Sequence, residues 1–63
     1  MSETRPIRLL YIDDDLGLGR LVERTLGRNG FAVTYAPSGD DGLRKLSDAT
    51  FDVVALDHFM PGM

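Results

Sequence analysis

The sequence predicts an α/β fold in which three parallel strands alternate with two helices. Three short apolar runs lie at residues 7–12, 31–36 and 53–56, and each has the length of a strand. The segments between these runs are long enough for one helix each, and the first carries apolar residues at helical spacing. Strands that alternate with helices are typical of a parallel sheet with right-handed crossovers.

The first strand and the first helix come from residues 7–29. Residues 7–12 (β1) end in Leu-Leu-Tyr-Ile and are apolar on both faces, as in a central strand. Residues 16–29 (α1) repeat apolar side chains every three or four positions, and we expect the face they form to be buried: Leu18, Leu21, Val22, Thr25 and Leu26. Gly17 and Gly19 weaken the start of this helix, and Asn29-Gly30 supplies a left-handed stop.

The second strand leads into a weaker helix. Residues 31–36 (β2) alternate and are rich in Val, Thr, Tyr and Phe, which favours a strand. Ser38 is predicted to cap a helix (α2) that begins near Gly39. The apolar stripe of this helix is thin, so we expect it to be short, with residues 47–50 as the loop into residues 53–56 (β3).

Acidic residues follow the first and third strands. Asp13 and Asp14 come directly after β1, and Asp57 comes directly after β3. We predict the strand order 2-1-3 for β1-α1-β2-α2-β3, which places these three residues on adjacent strand ends. Crowded carboxylates repel one another and favour a bound cation, and an all-oxygen ligand set points to magnesium or calcium. The same order leaves β3 as an exposed apolar edge, which invites pairing with another chain.

The composition excludes several classes of protein. The chain has no cysteine, so no disulfide or thiolate metal site forms. Its net charge of −3 argues against sequence-independent nucleic-acid binding, which needs a basic surface. No apolar run reaches the roughly 20 residues that span a bilayer, and no secretory signal is present. We therefore expect a cytoplasmic protein that binds neither nucleic acid nor membrane.

Two motifs make the chain resemble the receiver domain of two-component response regulators, within the CheY-like superfamily of flavodoxin-like folds. They are YIDDD at residues 11–15 and ALDHFMPGM at residues 55–63. The family pattern is an acidic pair after strand one and an acceptor aspartate closely followed by Met-Pro-x-Met. The resemblance covers nearly all of this chain but about the first half of the family fold. Residues 1–6 are polar and end in Pro6, which cannot donate to a sheet, so we expect a short tail there. The resemblance implies the N-terminal half of a receiver domain at residues 7–63.

The resemblance also implies a role for each matching residue. Asp57 corresponds to the phosphoacceptor, and Asp14 to a direct ligand of Mg²⁺. Asp13 corresponds to the neighbour that binds the metal through water, and the backbone carbonyl of Phe59 to a further ligand. Asp15 is expected to cap the following helix.

The implied function is a signalling switch rather than an enzyme with multiple turnover. The partner implied by the family is a histidine kinase or phosphotransfer protein, which donates a phosphoryl group to Asp57. The family also uses a lysine and a hydroxyl residue that lie beyond Met63. We therefore expect a truncated fragment whose metal binding is weakened, whose phosphorylation is slow or absent, and which lacks the switch that the hydroxyl residue drives.

Two other functions remain open from the residues alone. In the first, the chain is a self-associating fragment that forms a homodimer through the β3 edge. In the second, the chain is a haloacid-dehalogenase-like phosphotransferase, with Asp13 as nucleophile and Asp15 as acid, but this leaves Asp57 and Met60-Pro61 unexplained. His58 is interpreted as an ordinary loop residue.

Overall fold

The computed structural model describes residues 5–57, which form a three-stranded sheet and two helices. The elements follow the order β1 (Ile7–Ile12), α1 (Leu16–Gly27), β2 (Phe31–Ala36), α2 (Gly39–Asp48) and β3 (Val53–Leu56). All three strands are parallel, and the strand order is 2-1-3 with β1 in the centre. The predicted fold class and strand order are confirmed.

The two helices lie on opposite faces of the sheet. Successive side chains of a strand point to opposite faces, so Tyr35 and Ala36 face in different directions. Helix α1 approaches the Tyr35 face, where Gly19 lies so close to the Tyr35 ring that a Cβ would overlap it. Helix α2 approaches the other face, where a Cβ on Gly42 would overlap the Ile12 side chain. Both glycines allow a helix to lie close to the sheet.

The buried core lies mainly on the face covered by α2. Leu10 and Ala36 are fully buried, Ile12 is nearly so, and Phe51 packs against these three. Leu10 and Ile12 are two residues apart and lie on the same face of β1, and Ile12 pairs with Ala36 in the register of the sheet. The core is therefore centred on the carboxyl-terminal half of β1.

The face of α1 that packs differs from the predicted one. Gly19 is buried, and Val22 and Leu26 are half-buried, whereas Leu18, Leu21 and Thr25 are exposed. The buried stripe is centred on Gly19 because the Tyr35 ring occupies the space beside this residue. The prediction that Leu18, Leu21 and Thr25 are buried is therefore wrong.

The ends of the two helices agree only in part with the predicted ends. The Ser38 hydroxyl accepts a hydrogen bond from the amide of Asp41 (3.1 Å), which confirms the predicted cap of α2. Helix α2 continues through Asp48, so the predicted loop at residues 47–50 begins too early. Helix α1 ends at Gly27 rather than at residue 29, because the chain turns there into Gly30, which has a φ of +89°. This positive φ confirms the predicted left-handed stop.

The third strand forms an exposed edge of the sheet. Val53, Val54 and Leu56 keep 45%, 47% and 48% of their surface accessible, as expected for an edge strand with no neighbour on its outer side in the described part of the chain. Neither helix between residues 5 and 57 is long and apolar enough to cross a membrane.

Candidate functional site

The candidate site lies where β1 and β3 end side by side. Ile12 and Leu56 are partners in the parallel register, so the residues that follow them leave the sheet together. The amide of Asp57 donates a hydrogen bond to the carbonyl of Ile12 (3.0 Å), and the amide of Asp13 donates one to the carbonyl of Ala36 (3.1 Å). The main chain of both acids is therefore held by the sheet rather than by a free loop.

Three carboxylates meet at this edge of the sheet. One oxygen from each of Asp13, Asp14 and Asp57 can be chosen such that all three lie within 4.8 Å of one another. Asp13 is 2% exposed, Asp57 is half-buried and Asp14 is exposed. Two unit charges about 4 Å apart repel by about 1 kcal/mol in water and more in a protein, so this arrangement favours a cation.

The ligand chemistry of the cluster fits a hard cation. Carboxylate oxygens are what Mg²⁺ prefers, at a distance of about 2.0–2.1 Å, with several positions left to water. Two oxygens on one such ion are therefore separated by at most about 4.2 Å. Carboxylate oxygens within 4.8 Å of one another can hold such an ion directly or through bound water.

Asp13 is the most constrained of the three acids. The Tyr11 hydroxyl donates a hydrogen bond to Oδ2 of Asp13 (2.5 Å), and the amide of Asp15 donates one to Oδ1 (3.1 Å). These two donors, the Tyr11 hydroxyl foremost, hold the pKa of Asp13 below its usual range although burial opposes them. Asp13 is therefore charged at neutral pH, and both of its oxygens accept hydrogen bonds within the protein.

Two tyrosines surround Asp13, and neither was predicted as part of the site. The hydrogen bond to Asp13 raises the pKa of Tyr11 to about 12, with burial and the charges of Asp13 and Asp57 acting in the same direction. Tyr35 donates a hydrogen bond from its hydroxyl to the main-chain carbonyl of Asp13 (2.6 Å). Burial, together with nearby carboxylates, raises the pKa of Tyr35. Both hydroxyls therefore remain protonated donors at neutral pH.

The sequence did contain a signal for these tyrosines. Tyr11 precedes Asp13 by two residues, so the two side chains lie on the same side of an extended chain. Tyr35 is the partner of Tyr11 in the parallel register, with the ring centroids 6.3 Å apart. A search for polar side chains that share a face with the acids would have found both.

Asp15 stays outside the acidic cluster. Its carboxylate accepts a hydrogen bond from the amide of Leu18 (3.0 Å) and caps α1, as predicted. The predicted roles of Phe59 and His58, and the Met60-Pro61 turn, fall outside the described residues.

A second group of charges lies at the opposite end of β1. Arg8 binds Asp52 through both its guanidinium and its amide, and the two residues line an open pocket of about 320 Å³ with Arg5, Pro6 and Ile7. The Arg8 guanidinium and amide hold the pKa of Asp52 below its usual range. This pairing joins β1 to the start of β3, at the end of the sheet opposite the acidic cluster.

Comparison with known proteins shows that the chain is similar to part of several bacterial proteins. No family model matches the sequence. It is similar to the transcriptional regulatory protein ResD of Bacillus subtilis (34% identical) and to protein PetR of Rhodobacter capsulatus (39% identical), each over 98% of this chain. These matches cover 26% of either relative, so the chain spans about a quarter of their length.

The fold of the chain is similar to that of a solved structure. The chemotaxis response regulator CheY4 of Vibrio cholerae superimposes with a TM-score of 0.85 and 34% sequence identity. The superposition covers 92% of this chain and 48% of that chain. The predicted CheY-like arrangement of the strands and helices is confirmed.

Proposed function

Since this chain belongs to the response-regulator receiver family, of which CheY4 is a solved example, we propose that it is the phosphoacceptor module of a two-component response regulator. In this proposal Asp57 accepts a phosphoryl group from a histidine kinase or phosphotransfer protein. The observation that carries it is the convergence of Asp13, Asp14 and Asp57 at the carboxyl ends of two neighbouring strands.

The transfer requires an exposed, fixed nucleophile at position 57. A carboxylate oxygen of Asp57 forms a bond to phosphorus while the bond from phosphorus to the imidazole nitrogen of the donor breaks. The imidazole leaves with the electron pair, and the product on Asp57 is an acyl phosphate. The amide of Asp57 is anchored to the carbonyl of Ile12 (3.0 Å), so the main chain of the nucleophile is held. Its side chain is half-buried and keeps part of its surface accessible.

The three acids are proposed to hold Mg²⁺. Asp14 and Asp57 would be direct ligands, Asp13 would bind through water, and the carbonyl of Phe59 would complete the protein ligands. When bound, the ion neutralises the charge that the carboxylates and the phosphoryl oxygens bring together. The support is the all-oxygen donor set and its spacing.

A signalling role agrees with the names of the relatives, which are regulatory proteins. That the chain is a switch without multiple turnover stays a prediction from the family, and that it acts in the cytoplasm stays a prediction from the sequence. The division into a tail at residues 1–6 and a receiver segment at residues 7–63 is also a proposal.

The test is phosphorylation by a small donor. The chain is incubated with acetyl phosphate with and without Mg²⁺, and intact-mass spectrometry measures the addition of one phosphoryl group. We expect an Mg²⁺-dependent adduct that hydroxylamine removes, as for an acyl phosphate. Asp57→Asn should lose the adduct, whereas Asp48→Asn, an exposed carboxylate at the end of α2, should keep it. An adduct that persists in Asp57→Asn, or no adduct on the unchanged chain, would contradict the proposal.

A second candidate function is self-association through β3. It is supported by three half-exposed apolar side chains on a strand at the sheet edge. In this case Asp57→Asn should leave association, measured by sedimentation, unchanged. The response of the chain to metal should disappear in the same variant. A loss of association in Asp57→Asn would count against edge pairing.

The haloacid-dehalogenase-like alternative has less support. It requires Asp13 to attack a phosphoryl group, yet Asp13 is 2% exposed and both of its oxygens accept hydrogen bonds. Its proposed acid, Asp15, is engaged as the cap of α1.

A further inference from the structure

Tyr11 holds the Asp13 carboxylate by a short hydrogen bond. The distance between the Tyr11 hydroxyl and Oδ2 of Asp13 is 2.5 Å, in the range of a hydroxyl that donates to a charged carboxylate. Because Tyr11 lies on the central strand of the sheet, its main chain is fixed by the pairing of β1 on both sides. The donor is therefore presented from a rigid element.

The second oxygen of Asp13 is held as well. The amide of Asp15 donates to Oδ1 (3.1 Å), so the carboxylate is fixed at both oxygens. With only 2% of Asp13 exposed, little water is available to replace either donor. Loss of the Tyr11 hydroxyl would leave Oδ2 without this donor in a nearly buried position, and the orientation of the carboxylate would be held less firmly.

Tyr35 acts on a different part of the same residue. Its hydroxyl donates to the main-chain carbonyl of Asp13 (2.6 Å), and its ring is supported by Gly19 of α1. The main chain of Asp13 is also held by the hydrogen bond from its amide to Ala36 (3.1 Å). The Asp13 backbone therefore keeps one anchor when the Tyr35 hydroxyl is removed.

We propose that Tyr11 is a positioning residue of the acidic cluster, whose hydroxyl sets the orientation in which the Asp13 carboxylate meets Asp14 and Asp57. This inference rests on the proposed cation site and extends it to a residue outside the ligand set. Groups that orient metal-binding carboxylates typically change metal affinity by about 10–100-fold when they are removed.

The experiment compares two variants that each lose one hydroxyl next to Asp13. Binding of Mn²⁺, the probe metal, is measured from the electron paramagnetic resonance signal of the free ion for the unchanged chain, Tyr11→Phe and Tyr35→Phe. Amide NMR spectra recorded without metal check that each variant is folded. We expect Tyr11→Phe to weaken Mn²⁺ binding by about tenfold, and Tyr35→Phe to weaken it less.

A second measurement requires no substitution. In the unchanged chain, the Tyr11 ring carbon that carries the hydroxyl should shift on addition of Mg²⁺, because its hydroxyl is bonded to the Asp13 carboxylate. The corresponding carbon of Tyr35, whose hydroxyl is bonded to the main chain, should shift less. This comparison tests the inference even if Tyr11→Phe does not fold.

The possible failures are distinguishable. Absence of Mn²⁺ binding by the unchanged chain would overturn the cation site and this inference with it. Binding by the unchanged chain, with equal affinity in Tyr11→Phe or an equal loss in both variants, would overturn the inference alone. The inference alone would also be overturned if Mg²⁺ shifted the signals of Asp14 and Asp57 but left the shift of the Tyr11 ring carbon unchanged.

Discussion

The amide of Asp57 donates a hydrogen bond to the carbonyl of Ile12 at 3.0 Å, one residue before Asp13. The pairing of β1 with β3 thus continues past the last strand residue and into the acidic cluster. Asp13 is tied in the same way to β2, through the carbonyl of Ala36. The relative position of Asp13 and Asp57 therefore depends on the register of the whole sheet, and changes that loosen the sheet should also alter the site.

The other end of the same strand pair gives a pH prediction. Asp52 has a lowered pKa because it binds Arg8, so it contributes stability above the ordinary aspartate range, and this contribution is lost as the pH falls through the lowered pKa. Asp52→Asn should lower the thermal midpoint slightly at pH 7, since both side chains are nearly half-exposed. The difference from the unchanged chain should shrink as the solution becomes acidic.

The matched control for this prediction is Asp48→Asn, which removes an exposed carboxylate from the end of α2. It should give no comparable pH-dependent difference. If the effect of Asp52→Asn were the same at neutral and acidic pH, the ion pair would not be its cause.

A second prediction concerns the contact between α1 and the sheet. Gly19→Ala should destabilise the fold by about 1–3 kcal/mol, as overpacking typically does, because the new Cβ would overlap the Tyr35 ring. This loss should occur although alanine favours helix formation over glycine by about 1 kcal/mol. Urea unfolding followed by circular dichroism measures the change.

Gly27→Ala is the control for the same helix. No atom lies within 4 Å of the position of its Cβ, so the substitution should be neutral or stabilise the chain by up to about 1 kcal/mol. Similar effects of the two substitutions would contradict the packing of Gly19 against Tyr35.

Gly19 and Gly42 show which contacts the sequence alone does not predict. From the sequence, Gly19 is interpreted as a residue that weakens α1, which is correct for an isolated helix. In the fold, Gly19 and Gly42 allow α1 and α2 to lie close to Tyr35 and Ile12. This role depends on which elements meet in three dimensions, and neither periodicity nor propensity contains that information. The same contact explains why the buried stripe of α1 is centred on Gly19 and leaves Leu21 exposed.

The main features of the acidic site, in contrast, could be predicted. Asp13, Asp14 and Asp57 follow apolar strands directly, and the carboxyl ends of parallel strands share one edge of a sheet, so their convergence follows from the strand order. The hydrogen bonds of Tyr11 and Tyr35 could not be assigned without the register and side-chain geometry.

A third prediction concerns the exposed edge. If the chain associates through β3, Val54→Lys should reduce association, because two copies of the edge would bring the introduced charges together. Sedimentation at increasing protein concentration measures the effect. Leu43→Lys is the control, since Leu43 is 63% exposed on α2, away from the edge. Equal effects of both variants would indicate a general change in solubility rather than edge pairing.

An amide-resolved NMR titration of the chain with Mg²⁺ tests whether the acidic cluster binds a cation. We expect dispersed signals, with shifts concentrated at Asp13, Asp14 and Asp57, and little change at Arg8 and Asp52 at the opposite end of the sheet. Asp57→Asn should weaken or abolish these shifts. A dispersed spectrum that does not respond to Mg²⁺, or shifts that are spread evenly over the chain, would contradict the cation site.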